Sequence, residues 1–169
     1  MNKYTGSIEI PKASLTPILI AALVNHVNFE GMGVKFDEYS FQPGLEDPDI
    51  VVFTEDGAEN GQFDEMEEFF VQHQIPFNRF SDSFCEIQPE YRKYRPSKHG
   101  IELVDVTVIE DHANNSYVLC SDLRDALQLE PEAALQKIGT LLEESDPAII
   151  ALSFYRGINA LVIEEEIGE

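Results

Sequence analysis

The dipeptide Ile75-Pro76 constrains this chain more than any other pair of residues. Proline has no N–H to donate and pushes its predecessor out of the α region, so the helical pattern ahead of it must end by Gln74. Asn60 and Gly61 mark the start, which bounds a helix over Gln62 to Gln74. At roughly 100° per residue, Phe63, Met66, Phe69 and Phe70 share one face, and Asp64, Glu65, Glu67 and Glu68 take the other. Burying each large apolar side chain is worth ~1.5–3 kcal/mol, so the stripe anchors the helix and the acids are expected to face water. Asp64 and Glu65 suit the positive N-terminal end. Glu67 and Glu68 lie beyond its reach and have no Lys or Arg four residues on, so the helix should gain little from either.

The rest of the chain reads as α+β, with mixed or antiparallel strands. It divides into two small, closely packed sheet-and-helix halves, 1–96 and 101–169, or forms one continuous domain, with Ser97 to Gly100 as the hinge. In the first half, Tyr4 to Ile10 alternates as a strand that Pro11 ends. Thr16 caps a helix with Pro17 at its first position, running to Val27; it is apolar nearly all round and should be buried on more than one side, packing the halves together. Val34 to Phe41 suggests a second strand with an irregularity, and Asp49 to Thr54 a short, fully buried one. Pro76 to Phe80 and Phe84 to Ile87 flank Ser81-Asp82-Ser83 as a hairpin, and Pro89 to Arg95 is extended. In the second half, Ile101 to Ile109 alternates as a strand turning at Asp111 to Ser116 towards Tyr117 to Cys120. Ser121 caps a helix through Leu127, and Pro131 opens another with Leu135, Ile138, Leu141 and Leu142 as its stripe, ending at Asp146-Pro147. Ala148 to Tyr155 and Ala160 to Glu165 then form a hairpin around Arg156 to Asn159. The chain shows no internal repeat.

Charge narrows the function. The chain carries 32 acids against 11 Lys plus Arg, a net −21, which argues against nucleic acid or anionic membrane as a direct partner. Two cysteines, Cys85 and Cys120, are too few for a disulfide framework, and the first residues do not begin an apolar signal segment, so a cytoplasmic protein is expected. The longest apolar run, Ile18 to Val24, falls far short of the ~20 residues that cross a bilayer.

Ten acids and no Lys or Arg lie between Glu46 and Phe70. Within them, Glu55, Asp56, Glu59, Asp64, Glu65, Glu67 and Glu68 form the candidate partner-binding face. A plain solvated surface accounts for such a run. The functional reading is a surface that meets a basic protein, and its sharper form is mimicry of nucleic acid in the groove of a nucleic-acid-binding protein. Asp47, Asp49, Glu55, Asp56 and Glu59 could offer oxygens to a cation, but without EF-hand spacing. Cys85, Cys120, His73, His99 and His112 never occur in paired zinc-ligand spacing, so no metal or other cofactor is implied.

Arg79, Arg92, Lys93, Arg95 and Lys98 form a basic cluster, five of the eleven basic residues, interleaved with Tyr91 and Tyr94. Arginine beside tyrosine can stack on bases. In so acidic a chain the better reading is that the cluster neutralises neighbouring carboxylates, within the fold or across a homodimer interface. Ser121 to Ile138 has the outline of a helix-turn-helix, but only Arg124 and Lys137 are basic there, too few to approach phosphates. No nucleophile elbow, phosphate loop, dinucleotide fingerprint or H-E-x-x-H occurs. An enzyme or carboxylate metal site would have to be assembled from scattered residues such as Cys85, His99 and Asp105.

The segments GQFDEMEEFFVQHQIPFNRFSDSF (61–84) and EYRKYRP (90–96) resemble a stretch found in proteins of bacterial mobile elements. The resemblance carries no chemical motif and implies an origin, not an activity. The expectation is therefore a non-enzymatic interaction protein.

Overall fold

A computed structural model describes residues 3–27, 36, 39–83, 88–97, 102–110 and 115–155. The fold is α+β, built on one antiparallel sheet of six strands. The strands are β1 (Lys3–Pro11), β2 (Gln42–Pro43), β3 (Ile50–Glu59), β4 (Phe77–Ser81), β5 (Glu90–Arg95) and β6 (Val104–Ile109), in the order β2-β3-β1-β4-β5-β6. Among the described residues the helices are α1 (Pro17–His26), α2 (Asp64–Gln72), α3 (Cys120–Ala126) and α4 (Pro131–Ser145), with short 3-10 turns at Lys12–Ser14 and Leu152–Tyr155.

β1 is central, paired with β3 on one side and β4 on the other. That pairing carries β3 on through Thr54 to Glu59, beyond the short strand expected, because nine residues of β1 supply partners that outweigh the poor strand propensity of Glu-Asp-Gly. The sheet passes without a break from β5 to β6, with Tyr94 opposite Asp105 and Arg95 opposite Val104.

The hairpin drawn from the sequence at 76–87 is corrected. Both edges of β4 are occupied, by β1 and by β5, with Ser81 opposite Glu90, so β4 pairs across a connection spanning 82–89. Residues 84–87 lie outside the described residues. The strand expected at Ala148 to Tyr155 is also absent: its end is the 3-10 turn Leu152–Tyr155, and the Ile150 carbonyl accepts from Arg95 Nε at 2.8 Å instead of joining a ladder. The hairpin's other limb, 160–165, lies outside the described residues, as do residues 34, 35, 37 and 38 of the second expected strand; Tyr39 to Phe41, at the end of that expected strand, form a turn and bend leading into β2. After β6, a single bridge, Glu110 to Ser116, takes the place of the second strand of the 101–120 hairpin.

Thr16 Oγ1 accepts from Leu19 N at 3.1 Å, so the cap and Pro17 start α1 as the sequence implies. Its burial is one-sided, however. Leu19 and Leu23 are fully buried, while Ile18 and Val24 are exposed, because α1 rests on the sheet beside α2 and nothing described covers its outer flank. The shared core runs from Ile8 to Tyr94 and includes Phe53, Met66, Phe69, Phe70 and Phe77, so α1 packs within the N-terminal part of the chain and not between halves.

α2 leaves the sheet through Asn60 (φ 55°) and Gly61 (φ 68°), a left-handed turn pressed against β1 and β4. A Cβ on Gly61 would lie 2.2 Å from Ser81 Oγ, which donates to the Asn60 carbonyl at 2.7 Å. The helix ends in a Schellman motif: Gln74 (φ 52°) donates to Val71 O at 3.1 Å and Ile75 to Phe70 O at 2.8 Å. Pro76 follows once those bonds are made, which is why the proline sets the boundary so firmly. Ser121 does not cap α3; Leu119 holds that position, and Ser121 Oγ donates to Asp122 Oδ1 inside the first turn.

Candidate functional site

Sheet register brings the basic residues together. One row on the face beneath α1 and α2 runs Phe53, Ile8, Arg79, Arg92, Thr107 across β3, β1, β4, β5 and β6. Two arginines directly opposite each other repel. The acid that resolves this comes from α2. Glu67, expected on the outer face, is buried, with 2 % of its surface exposed. Its Oε2 accepts from Arg92 Nη1 at 2.9 Å, and its Oε1 lies 3.3 Å from Arg79 Nε and accepts from the Phe63 backbone N–H at 3.0 Å. The Arg79 Nε–H is not aligned with that oxygen, so this contact is an ion pair and not a hydrogen bond. Glu67 therefore closes the first turn of α2 in the manner of a capping box and neutralises the arginine pair.

The network extends outward from there. Arg79 Nη1 donates to Glu90 Oε1 at 2.6 Å, and Arg92 grips Asp105 in a two-pronged contact of 2.9 and 2.8 Å. The hydrogen bond to Asp105, above all, holds the Arg92 guanidinium well above its ordinary pKa. Lys93, on the opposite face, pairs with Glu110 and lies over the Tyr91 ring. The expected neutralisation within the fold is thus the arrangement seen for Arg79, Arg92 and Lys93.

Arg95 behaves differently. It is buried, and its guanidinium donates to Phe77 O, Tyr94 O, Ile150 O and Asn78 Oδ1 at 2.7–2.8 Å, all neutral acceptors. Asn78 in turn donates to Glu9 Oε2 at 2.9 Å. Burial pushes the Arg95 pKa down to about 10, which leaves it charged at neutral pH. Its role is to fasten the 148–155 segment to the sheet. Lys98 lies outside the described residues.

The remaining acids of the candidate face fall on two adjoining elements. Asp64, Glu65 and Glu68 are exposed on α2. Glu55, Asp56 and Glu59 lie along the end of β3 that leads into it, Glu55 half-buried and the other two exposed, with Thr5 Oγ1 donating to Asp56 Oδ1 at 3.2 Å. On the opposite end of α2, the His73 ring lies 4.4 Å from that of Phe69, tilted by 47°, and His26 of α1 meets the same ring at 5.3 Å. Burial first, and His26 second, lower the His73 pKa below its usual 6.5.

Of the groups named for an enzyme, Cys85 and His99 lie outside the described residues and Asp105 is held by Arg92. His112 lies outside them too, and Cys120 is an exposed free thiol. Among the described residues no three His, Cys, Asp or Glu side chains are placed to hold a metal ion. Asp47 instead serves its loop, its Oδ1 accepting from Asp49 N at 3.0 Å. An open depression of about 210 Å³ lies between β6, α3 and α4, lined by Val108, Tyr117, Leu119 and Leu141 with Asp122 and Glu144 at its edge. Among the described residues no helix is long and apolar enough to cross a membrane. Compared with protein-family models, curated proteins and solved structures, the chain finds no match.

Proposed function

We propose that this chain is a non-enzymatic, cytoplasmic interaction protein of mobile-element origin whose acidic face, carried by α2 and the end of β3, meets a basic protein surface. One observation carries the reading. The cations beneath α2, Arg79 and Arg92, are answered inside the fold by Glu67, Glu90 and Asp105, while Asp64, Glu65 and Glu68 stand exposed on the outer side of the same helix. The outward field there is negative, and a net charge of −21 reinforces it. Such a field steers a cationic partner into contact and repels an anionic one. Few cysteines and the exposed Cys120 thiol are in keeping with a reducing compartment.

Nucleic-acid mimicry is the narrower form of the proposal. It requires the partner to be a nucleic-acid-binding protein for which DNA or RNA competes at the same site. The test is affinity capture from the host with the parent chain and with Asp64→Asn, Glu65→Gln and Glu68→Gln combined. Glu67 must be left intact, since its carboxylate is part of the core. Loss of the captured partner on neutralisation supports the reading, and a partner retained by the neutralised variant overturns it.

A further inference from the structure

The helical layer after β6 is incompletely covered. Among the described residues the main hydrophobic cluster extends from Ile8 to Tyr94, and beyond it only scattered side chains such as Val108, Ala126, Ala134 and Leu141 are buried, whereas Leu127 and Leu129 of the α3–α4 connection and Leu135 and Leu142 of α4 are all exposed. α4 shows why. Its apolar arc is wider than the surface it rests on: Ala134 and Leu141 face inward, Ile138 is half-buried, and Leu135 (73 % exposed) and Leu142 (57 % exposed) stand in solvent. Leu135, Ile138 and Leu142 follow one another at i, i+3 and i+7, the spacing of a seam made for another helix. Gly139 lies between the two leucines, and a Cβ there would touch nothing within 4 Å, so the seam has a ridge on each side of an open step.

Charge selects the occupant. Between Cys120 and Asp146 seven acids face two bases, Arg124 and Lys137. Glu132 and Glu143, both exposed, fall on the helix flank beside Leu135 and Gly139. A second copy would bring the same acids, and a whole-chain charge of −21, against them. We infer that this flank of α4 is a docking surface for an amphipathic helix of a partner protein, with aliphatic side chains seated along Leu135, Gly139 and Leu142 and Lys or Arg facing Glu132 and Glu143. The inference rests on the basic partner proposed above and adds the place where its apolar anchors sit. Helix-in-groove recognition of this kind takes its affinity from the anchors and its orientation from the charged rim.

The probe is a fluorescent amphipathic helical peptide of leucine and lysine, with a counterpart in which alanine replaces leucine, titrated by anisotropy against the full chain at about 0.15 M salt. Leu135→Asp with Leu142→Asp should keep the parental circular dichroism and melting curve, since both side chains are exposed. That variant is expected to bind the leucine peptide at least about tenfold more weakly, and the alanine peptide to bind the parent at least about tenfold more weakly. Equal binding in either comparison overturns the inference, as does a parental dimer that the double variant dissociates, because the occupant would then be a second copy. The Asp64→Asn, Glu65→Gln, Glu68→Gln variant, run in parallel, separates the two proposals. Binding lost only with the α2 changes overturns docking on α4 and leaves the acidic-face reading standing; binding lost with the α4 changes supports docking whatever α2 does.

Discussion

Replacing Glu67 by alanine removes the carboxylate that contacts both Arg79 and Arg92 and leaves Arg79, 3 % exposed, beside an empty site. Breaking a buried ion pair from one side costs ~3–5 kcal/mol, because the surviving charge stays desolvated. Two contacts soften the loss here: Glu90 remains 2.6 Å from Arg79, and Asp105 still holds Arg92. The low end, about 3 kcal/mol, is therefore expected for Glu67→Ala, and about 2 kcal/mol for Glu67→Gln, whose amide oxygen can still accept the Phe63 N–H. At ~2–4 °C per kcal/mol for a chain of this size, the alanine variant should melt about 6–12 °C below the parent by circular dichroism. Combining Glu67→Met with Arg79→Met should recover part of the loss, since the buried Arg79 charge is removed together with its partner and Glu90, 29 % exposed, can be hydrated. If Glu67→Ala melts within about 1 kcal/mol of the parent, the keystone role of Glu67 is wrong.

Leu19→Asp or Leu23→Asp should abolish cooperative unfolding altogether, since each places a carboxylate in a fully buried position with no partner; a parental melting curve would contradict the packing of α1. Gly61→Ala combines a left-handed φ of 68° with a contact on Ser81 and should cost about 2 kcal/mol or more, read as a lower urea midpoint at unchanged slope; an unchanged midpoint would mean that the turn relaxes freely. For His73 the folded pKa lies below 6.5, so the folded state binds its proton more weakly than the unfolded chain does. Stability is then undiminished above pH 6.5 and falls on acidification through the folded value; His73→Gln should flatten that part of the curve below pH 6.5, and an identical slope in the variant would refute the assignment.

The parts of the fold that could be read from the sequence are those set by local chemistry. Pro76, Thr16-Pro17 and Asp146-Pro147 mark helix ends because backbone geometry leaves no alternative, and the Phe63, Met66, Phe69, Phe70 stripe lies where its period puts it. What could not be read depends on pairing across the sheet. Glu67 sits at the margin of the apolar stripe, and an acid there defaults to solvent unless cations lie beneath it. Those cations become neighbours only when β4 pairs with β5 to set Arg79 opposite Arg92, across a connection whose ends the local pattern misplaced. The extension of β3 to Glu59 has the same origin, in the length of β1. Ile18, Val24, Leu135 and Leu142 are apolar by periodicity yet exposed, because periodicity tells which residues prefer burial and not whether the fold supplies a neighbour.

Salt dependence of partner binding tests the acidic-face proposal most directly. With the captured partner in hand, its affinity for the parent and for the Asp64→Asn, Glu65→Gln, Glu68→Gln variant is measured as ionic strength rises from about 0.1 M to about 1 M, over which the Debye length falls from ~10 Å to ~3 Å. The account predicts a steep loss of affinity for the parent and a shallow one for the variant, the two curves converging at high salt. Equal affinities and parallel slopes would contradict it, because the exposed acids of α2 would then take no part in the contact.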